Sequence, residues 1–296
     1  MTGVVVLDKH EGITSFWAAA QLRRVFGEKK IGHTGTLDPM ASGVLPVLLG
    51  GATKFTALLP THDKAYRAVF LLGAEPDTLD ITGTVVRQRF VNVGEADVRH
   101  VLDNYRGSIR QVPPMYSALS RDGVRLYELA RQGIEVEREA RDVEIFRLEL
   151  LCANECKGEY TIEVQCSAGT YIRSLVSDIG RDLGCGAVLT ALRRTAANGV
   201  GEVVSHTLTF LRQCPAEELA QYVLPVDRLL EAYPAVTVTE KQSVRFCHGG
   251  ELDAGRVRGL GAPGLYRVYR PDGRFLGVGD LRDDVLAVRR LLIEKE

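Results

Sequence analysis

The sequence predicts an α+β fold: a mixed, largely antiparallel sheet with flanking helices, followed by a small C-terminal β-barrel. Strand-like and helix-like segments intermix without the regular alternation that a parallel sheet requires. The pattern breaks around 225–234, and beyond this break short apolar segments are separated by glycine turns. A chain of 296 residues is long enough for one large domain and one small one. We place the boundary near residue 232, which gives domains at 1–232 and 233–296.

The N-terminal segment predicts a strand, a helix and a loop. The aliphatic run Val4–Leu7 predicts a short buried strand. The helix that follows has Thr14 or Ser15 as its N-cap and ends at Gly27. Residues 29–43 are punctuated by glycine, which predicts an irregular loop rather than a helix or a strand.

The middle of the chain contains further strands and three helices, one of them a short helix around Leu126–Arg131. Alternation over Ala65–Leu72 predicts a half-buried strand, and residues 97–106 look helical. Thr170 can cap a third helix, whose apolar stripe ends before Gly184. The remaining predicted strands are Val143–Leu151, Tyr160–Cys166, Leu265–Tyr269, Phe275–Gly279 and Val285–Leu292.

Composition and charge narrow the class of protein only a little. No stretch approaches the roughly 20 apolar residues that a membrane span needs, so no membrane association is expected. The N-terminus lacks the features of a signal peptide, which makes the cytoplasm the expected location. The net charge is −1, but residues 241–296 hold 11 Lys and Arg against 8 Asp and Glu. A basic C-terminal segment is compatible with RNA binding without requiring it.

The loop around Asp38 is the strongest local signal for chemistry. Gly32 and Gly35 permit backbone conformations that other residues resist, and Pro39 biases Asp38 towards an extended conformation. A carboxylate on such a loop is a candidate catalytic group. The same residues can also form an Asx turn that only shapes the chain. The residues alone leave both interpretations open.

At this loop the chain resembles a known family. The segment Gly32–Val47 is similar to the signature loop of TruB-type tRNA pseudouridine synthases. One departure is His10, which stands where the family's first turn has a proline after Asp-Lys, and it weakens the case for Lys9 as a functional residue. Further segments resemble the family in order and spacing over residues 4–227: Asp63–Ala68, Asp77–Gly83, Val112–Ala118, Leu126–Gly133, Cys166–Arg173 and Leu192–Arg194.

The resemblance implies an activity. A TruB-type enzyme isomerises uridine to pseudouridine at position 55 in the T-loop of tRNA, flipping the base into a pocket, with no cofactor and no metal. The expected partner is the tRNA T-arm, with no obligate protein partner and with the chain acting as a monomer. Residues 1–232 would be the catalytic domain, and residues 233–296 a PUA-like RNA-binding domain.

The resemblance also assigns catalytic roles. Asp38 would be the catalytic carboxylate, and it must be ionised to act. Arg173 would supply the neighbouring cation, although the residues alone favour a surface arginine. Tyr171 would lie against the sugar and base, as the group that transfers a proton.

Four further residues would bind the substrate. Tyr66 would stack on the flipped uracil, although by pattern alone it is an ordinary strand aromatic facing the core. Leu192 would form part of the apolar wall, and Asp80 would support Arg173 or the site. His33 would enter the T-loop where the flipped bases leave, although a lone loop histidine can equally be structural or merely exposed.

Parts of the sequence bear on other possible functions. A non-catalytic RNA-binding protein or tRNA-folding chaperone could use the same scaffold. A hydrolase using His33 and Asp38 lacks a G-x-S-x-G segment. The run Gly259–Gly264 spells G-x-G-x-x-G, but a strand-like segment follows it, which predicts a turn rather than a dinucleotide site. The six cysteines do not have the spacing of a zinc site.

Overall fold

The computed structural model describes residues 1–60 and 63–292, and its centre is a ten-stranded mixed sheet. The α-helices are α1 (Ser15–Val25), α2 (Glu95–Asp103), α3 (Leu126–Arg131), α4 (Ile172–Asp182), α5 (Leu208–Gln213) and α6 (Glu240–Cys247). The strands are β1 (Gly3–Lys9), β2 (Ile31–His33), β3 (Ser42–Leu49), β4 (Lys64–Leu72), β5 (Ala74–Pro76), β6 (Val85–Gln88), β7 (Gly107–Gln111), β8 (Ser120–Arg121), β9 (Val124–Arg125), β10 (Arg141–Asn154), β11 (Glu159–Cys166), β12 (Ala187–Ala197), β13 (Val200–Gly201), β14 (His206–Thr207), β15 (Ala235–Thr237), β16 (Leu252–Asp253), β17 (Gly264–Tyr269), β18 (Phe275–Arg282) and β19 (Val285–Leu291).

The main sheet is mixed but largely antiparallel. Its strand order is β14-β1-β3-β12-β4-β11-β10-β7, with β13 beside β12 and β2 beside β3. The parallel neighbours are β1 with β14 and β12 with β3, and the other pairs are antiparallel. This arrangement confirms the predicted α+β class.

The first strand shows why the sheet has two buried faces. Val5 and Leu7 point into the larger hydrophobic cluster, with residues of α1 and α4, whereas Val4 and Val6 point into a second cluster on the opposite face. All four side chains are at most 1% exposed. Alternate residues of a strand face opposite sides, so a continuous aliphatic run suits a strand covered on both.

The C-terminal part forms a second, five-stranded sheet in the order β15-β17-β18-β19-β16. It has its own hydrophobic cluster, which includes Phe246 and Val268, while Phe275 and Val278 of β18 pack into the cluster behind β1. The predicted small C-terminal β unit is therefore present. The boundary near residue 232 stays a prediction, and residues 293–296 of the predicted domain lie outside the described residues. Within the described ranges, no helix is both long and apolar enough to cross a membrane.

Two local predictions are wrong. Part of the predicted irregular segment 29–43 is a strand, because Ile31–His33 pairs antiparallel with Leu49–Val47 of β3, a partner beyond the segment itself. Thr170 does not cap α4: Tyr171 holds the N-cap position, and the Thr170 hydroxyl donates a hydrogen bond to the carbonyl of Ser167 at 3.0 Å. The threonine therefore closes the preceding turn instead of the helix.

Candidate active site

The carboxylate of Asp38 meets the guanidinium of Arg173. Asp38 lies on the loop between β2 and β3, and Arg173 is the second residue of α4. Arg173 Nε lies 2.9 Å from Asp38 Oδ2, and the exposed fractions of the two side chains are 4% and 34%. The cation is thus buried while the carboxylate remains reachable, which excludes the surface-arginine interpretation.

The guanidinium of Arg173 is held from several sides. Nη1 donates to the carbonyl of Thr78 at 3.1 Å, and Nη2 donates to the carbonyl of Tyr116 at 2.8 Å. Nε also lies 3.7 Å from Asp80 Oδ2. These contacts fix the plane of the guanidinium, so Asp38 meets a cation in a defined orientation.

The turn 77–83 positions Asp80 as the second acid beside Arg173. Asp80 is 4% exposed, and its Oδ1 accepts hydrogen bonds from Thr78 Oγ1 at 3.0 Å and from Thr82 N at 2.9 Å. Gly83 allows this turn to close, since a Cβ there would stand 2.2 Å from Thr78 Oγ1. Asp80 therefore presents its other oxygen to the arginine.

The loop that carries Asp38 is anchored by buried polar side chains. Ser15, 1% exposed at the start of α1, donates to the carbonyl of Leu37 at 3.0 Å and accepts from Leu37 N at 2.8 Å. Thr34 Oγ1 donates to Asn198 Oδ1 at 2.7 Å. Because both anchors come from outside the loop, they limit how far Asp38 can move.

Lys9 ties the first turn to the same loop. Its side chain is 1% exposed, and Nζ donates to the carbonyls of Ile13 at 2.9 Å, His10 at 3.0 Å and Pro39 at 3.4 Å. Burial lowers the pKa of Lys9 to about 8, although the charge of Asp38 partly opposes the shift. His10, in place of the family's proline, is thus compatible with a lysine that bridges the turn and the loop.

Asp38 and Arg173 lie where two cavities meet. A cavity of about 210 Å³ is lined by Tyr66, Tyr171 and Leu192 in addition to the pair. A wider cavity of about 710 Å³ is lined by the same pair together with His33 and Asp80. The structure therefore brings the seven sequence-predicted site residues around one ion pair, divided between two compartments.

Tyr66 and Leu192 form the apolar part of the smaller cavity. They lie on adjacent strands, β4 and β12, and each is only 6% exposed. Both also belong to the larger hydrophobic cluster, so the core-packing interpretation of Tyr66 holds as well. Burial raises the pKa of Tyr66 to about 12. The phenol is therefore neutral near pH 7 and offers an uncharged ring to the cavity.

Tyr171 is held by its backbone. Gln111, 2% exposed at the end of β7, donates through Nε2 to the carbonyl of Tyr171 at 3.1 Å and accepts from its N–H at 2.7 Å. Burial raises the pKa of the Tyr171 hydroxyl, with an opposing effect from Ser117 and Arg173. The group keeps its proton near neutral pH. Sequence reasoning missed Gln111, whose only local mark is its place before the extended segment 112–118.

His33 lies at the end of β2, on the wall of the wider cavity. Its Nδ1 has no hydrogen-bond partner within the described part of the chain. Burial and the charge of Arg194 lower the pKa of the ring. A ring that is neutral at pH 7 can stack on a base without the cost of burying a charge. Among residues 1–60 and 63–292, no group of three or more His, Cys, Asp or Glu side chains could hold a metal ion.

Comparison with known proteins places these features in a family. A model of the "TruB family pseudouridylate synthase (N terminal domain)" matches residues 23–172. Models of the "tRNA pseudouridylate synthase B C-terminal domain" and of "Pseudouridine synthase II TruB, C-terminal" match residues 173–231 and 234–292.

Individual relatives agree with the family models. The tRNA pseudouridine synthase B of Pseudomonas putida is 44% identical over 303 residues, which cover 100% of this chain and 97% of the relative. That of Aromatoleum aromaticum is 47% identical, covering 94% of this chain and 88% of the relative. A solved Cbf5–Nop10–Gar1 complex contains a chain that matches with a TM-score of 0.75 at 25% identity, covering 98% of this chain and 85% of that one.

Proposed function

The chain belongs to the TruB family of pseudouridine synthases, and from this membership we propose that it isomerises uridine 55 in the T-loop of tRNA, with Asp38 as the catalytic carboxylate. The observation that carries the proposal is the contact of Asp38 with the buried Arg173 at the junction of two cavities. Relatives named tRNA pseudouridine synthase B support tRNA as the substrate.

The two cavities suggest how RNA would bind. The flipped nucleoside would enter the smaller cavity, where the ring of Tyr66 stacks on the uracil and Leu192 closes the apolar wall. Stacking of a base on an aromatic ring is worth roughly 1–3 kcal/mol, which offsets part of the cost of flipping. In the wider cavity the neutral ring of His33 would fill the space that the flipped base leaves.

The reaction needs an ionised carboxylate. The guanidinium of Arg173 lies beside the carboxylate of Asp38. This carboxylate would attack C1′ of the ribose and later be displaced by C5, or it would abstract the C2′ proton on a glycal route and return that proton when C5 bonds to C1′. Along either route the N1–C1′ bond breaks, the base turns, and a C5–C1′ bond forms. C5 then loses its proton and N1 gains one, so the product is an isomer and no redox partner is consumed. Tyr171, which lines the smaller cavity with Asp38, would be the group that transfers a proton.

Asp80 would act through Arg173. Its carboxylate shares the guanidinium with Asp38, and its turn supplies the Thr78 carbonyl that Nη1 binds. Loss of Asp80 would therefore tilt the arginine as well as remove a charge. We assign Asp80 a positioning role in the same proposal.

The C-terminal unit would extend the RNA-binding surface. We propose residues 1–232 as the catalytic domain and 233–296 as a PUA-like domain, the latter supported by its five-stranded sheet and the basic balance of 241–296. That the enzyme acts alone, as a monomer in the cytoplasm, stays a prediction. A hydrolase has no support, because among the described residues the hydroxyl of Ser15 binds Leu37, and neither Ser117 Oγ nor His33 Nδ1 has a hydrogen-bond partner.

The test is the variant Asp38→Asn. We expect it to abolish tritium release from 5-tritiated uridine in a T-arm hairpin while it binds the hairpin within a few-fold of wild type. Affinity for RNA comes mainly from phosphate contacts spread over the surface, whereas one carboxylate carries the chemistry. Filter retention measures the binding, and Asp142→Asn, an exposed aspartate away from both cavities, is the matched control.

The outcome separates the candidate functions. A wild-type protein that binds the hairpin without releasing tritium would favour the RNA-binding or chaperone interpretation. Substantial turnover by Asp38→Asn would show that Asp38 is not the catalytic carboxylate.

A further inference from the structure

Lys64 carries an ammonium group beside the proposed nucleoside cavity. It is the first residue of β4, it is half-buried, and it borders the smaller cavity with Asp38 and Tyr66. Within residues 1–60 and 63–292 its Nζ has no hydrogen bond and no ion pair. Burial and the neighbouring charge of Arg194 lower its pKa. Nothing in the proposed chemistry uses this cation.

Arg194 is a second cation, and no acid pairs with it among residues 1–60 and 63–292. It lies opposite Tyr66 in the pairing of β12 with β4 and is 0% exposed. Nε donates to the carbonyl of Val44 at 2.7 Å and Nη2 to that of Gly35 at 3.2 Å, but Nη1 has no hydrogen-bond partner in the described part of the chain. Backbone carbonyls satisfy the N–H groups without cancelling the charge.

Gly35 leaves the space between these two cations open. A Cβ at Gly35 would stand 3.6 Å from Lys64 Nζ and 3.7 Å from Arg194 Nη1. The two positive groups therefore converge on one point of the loop that carries Asp38, and no side chain from the loop covers that point.

The nearby acids cannot compensate this charge. Both Asp38 and Asp80 face Arg173, at 2.9 and 3.7 Å from its Nε. A buried or half-buried charge is costly unless it is paired. The anionic group that an RNA substrate brings into such a site is its phosphodiester. A uracil carbonyl is uncharged and could not balance the two cations.

We propose that Lys64, supported by the electric field of Arg194, binds a phosphodiester that flanks the flipped uridine. The inference rests on the proposed function and adds a contact to it: the nucleotide would be held by its backbone as well as by the stack on Tyr66. Arg194 is fully buried and does not touch the phosphate. It contributes through the electric field of its charge and through its hydrogen bond to the loop at Gly35.

The experiment pairs protein variants with neutralised linkages. T-arm hairpins are made with an uncharged methylphosphonate on the 5′ or the 3′ side of the target uridine, and Kd and kcat/KM are measured for wild type, Lys64→Met and Lys64→Arg. The matched control is Lys54→Met, since Lys54 is exposed on the 3-10 helix Gly50–Leu58 and borders neither cavity.

We expect one neutral linkage to weaken wild-type binding about tenfold, the scale of a hydrogen bond between charged groups. Lys64→Met should bind the native hairpin more weakly than wild type by about the same factor, and the neutral linkage should not weaken its binding further. The slope of its affinity against salt concentration should fall by up to one unit. Lys64→Arg and Lys54→Met should both keep the wild-type sensitivity to that linkage.

The inference would be overturned if Lys64→Met bound the native hairpin as tightly as wild type. It would also be overturned if both neutral linkages weakened binding by Lys64→Met as much as they weaken binding by wild type. A wild-type protein whose binding is weakened by neither neutral linkage would also overturn the inference. This result does not depend on how the variants fold. A wild-type enzyme that fails to isomerise the native hairpin would instead refute the proposed function.

Discussion

At the scale of single residues, the site is organised around one guanidinium. Arg173 Nε lies between two carboxylates, and its other nitrogens bind two backbone carbonyls. An arginine can do this because its donors form a planar fork, whereas a lysine offers a point charge on a flexible stem. Charge and shape at this position are therefore separable by substitution.

The first prediction separates them. Arg173→Met should lower kcat by at least about a hundredfold, because it removes the cation that lies beside both Asp38 and Asp80. Arg173→Lys should lie between Met and wild type. Single-turnover rates, with circular dichroism to verify folding, make the comparison.

The rival expectation is that Arg173 binds RNA phosphate. Arg173→Met would then lose affinity and salt dependence while kcat at saturating RNA stayed intact. A wild-type kcat for Arg173→Met would end the pairing hypothesis.

At the scale of elements, the loop 34–41 is held by its neighbours rather than by its own sequence. The start of α1 binds it through Ser15, the end of β1 through Lys9, and β12 through Arg194. These side chains lie 22, 30 and 159 residues from the loop residues that they bind, and each contributes one or two hydrogen bonds to the loop backbone. The position of Asp38 is thus a property of the packed sheet.

The second prediction concerns Lys9 in this arrangement. Its pKa falls from the ordinary 10.5 to about 8, so between these values the unfolded chain holds a proton that the folded chain has released. The free energy of unfolding then rises with pH in this window. We expect wild type to gain stability relative to Lys9→Met between pH 8 and pH 10.5, and the difference to be constant below pH 7.

Urea denaturation of both proteins across this range measures the effect, since the other titrating groups are common to the two. A stability difference that is flat from pH 7 to pH 10.5 would show that the Lys9 proton is not linked to folding.

At the scale of the whole molecule, the C-terminal sheet is part of the core. Phe275 and Val278 pack with Val4, Val6 and Phe55 behind the main sheet. Removing the C-terminal unit would expose this cluster to water, at a cost of roughly 25 cal/mol per Å² of apolar surface.

The third prediction follows for a chain truncated after residue 232. We expect a lower Tm and a tendency to aggregate, in addition to a raised KM for full-length tRNA. Differential scanning calorimetry and light scattering measure the first effect, and kinetics on tRNA and on a T-arm hairpin measure the second. A truncated chain with the Tm of wild type would contradict the packing argument, and one with the wild-type KM for full-length tRNA would contradict the RNA-binding role.

The sequence by itself determined the elements whose cause is local. The strands at Val4–Leu7 and Ala65–Leu72 follow from periodicity within a few residues. Capping chemistry placed the N-cap of α1 at Thr14 or Ser15, and the structure has it at Thr14. Its resemblance to a family selected Asp38, Arg173 and the five other site residues, because those motifs stand in a fixed order along the chain.

Only the tertiary structure decided the features whose partners are distant in sequence. The strand Ile31–His33 exists because β3 pairs with it, and Tyr171 is clamped by Gln111, 60 residues earlier. Likewise, Lys64 and Arg194 converge on Gly35 only after three separate segments have packed together. Hydrogen bonds and electric fields act through space, so a local pattern cannot reveal which groups folding leaves without a partner.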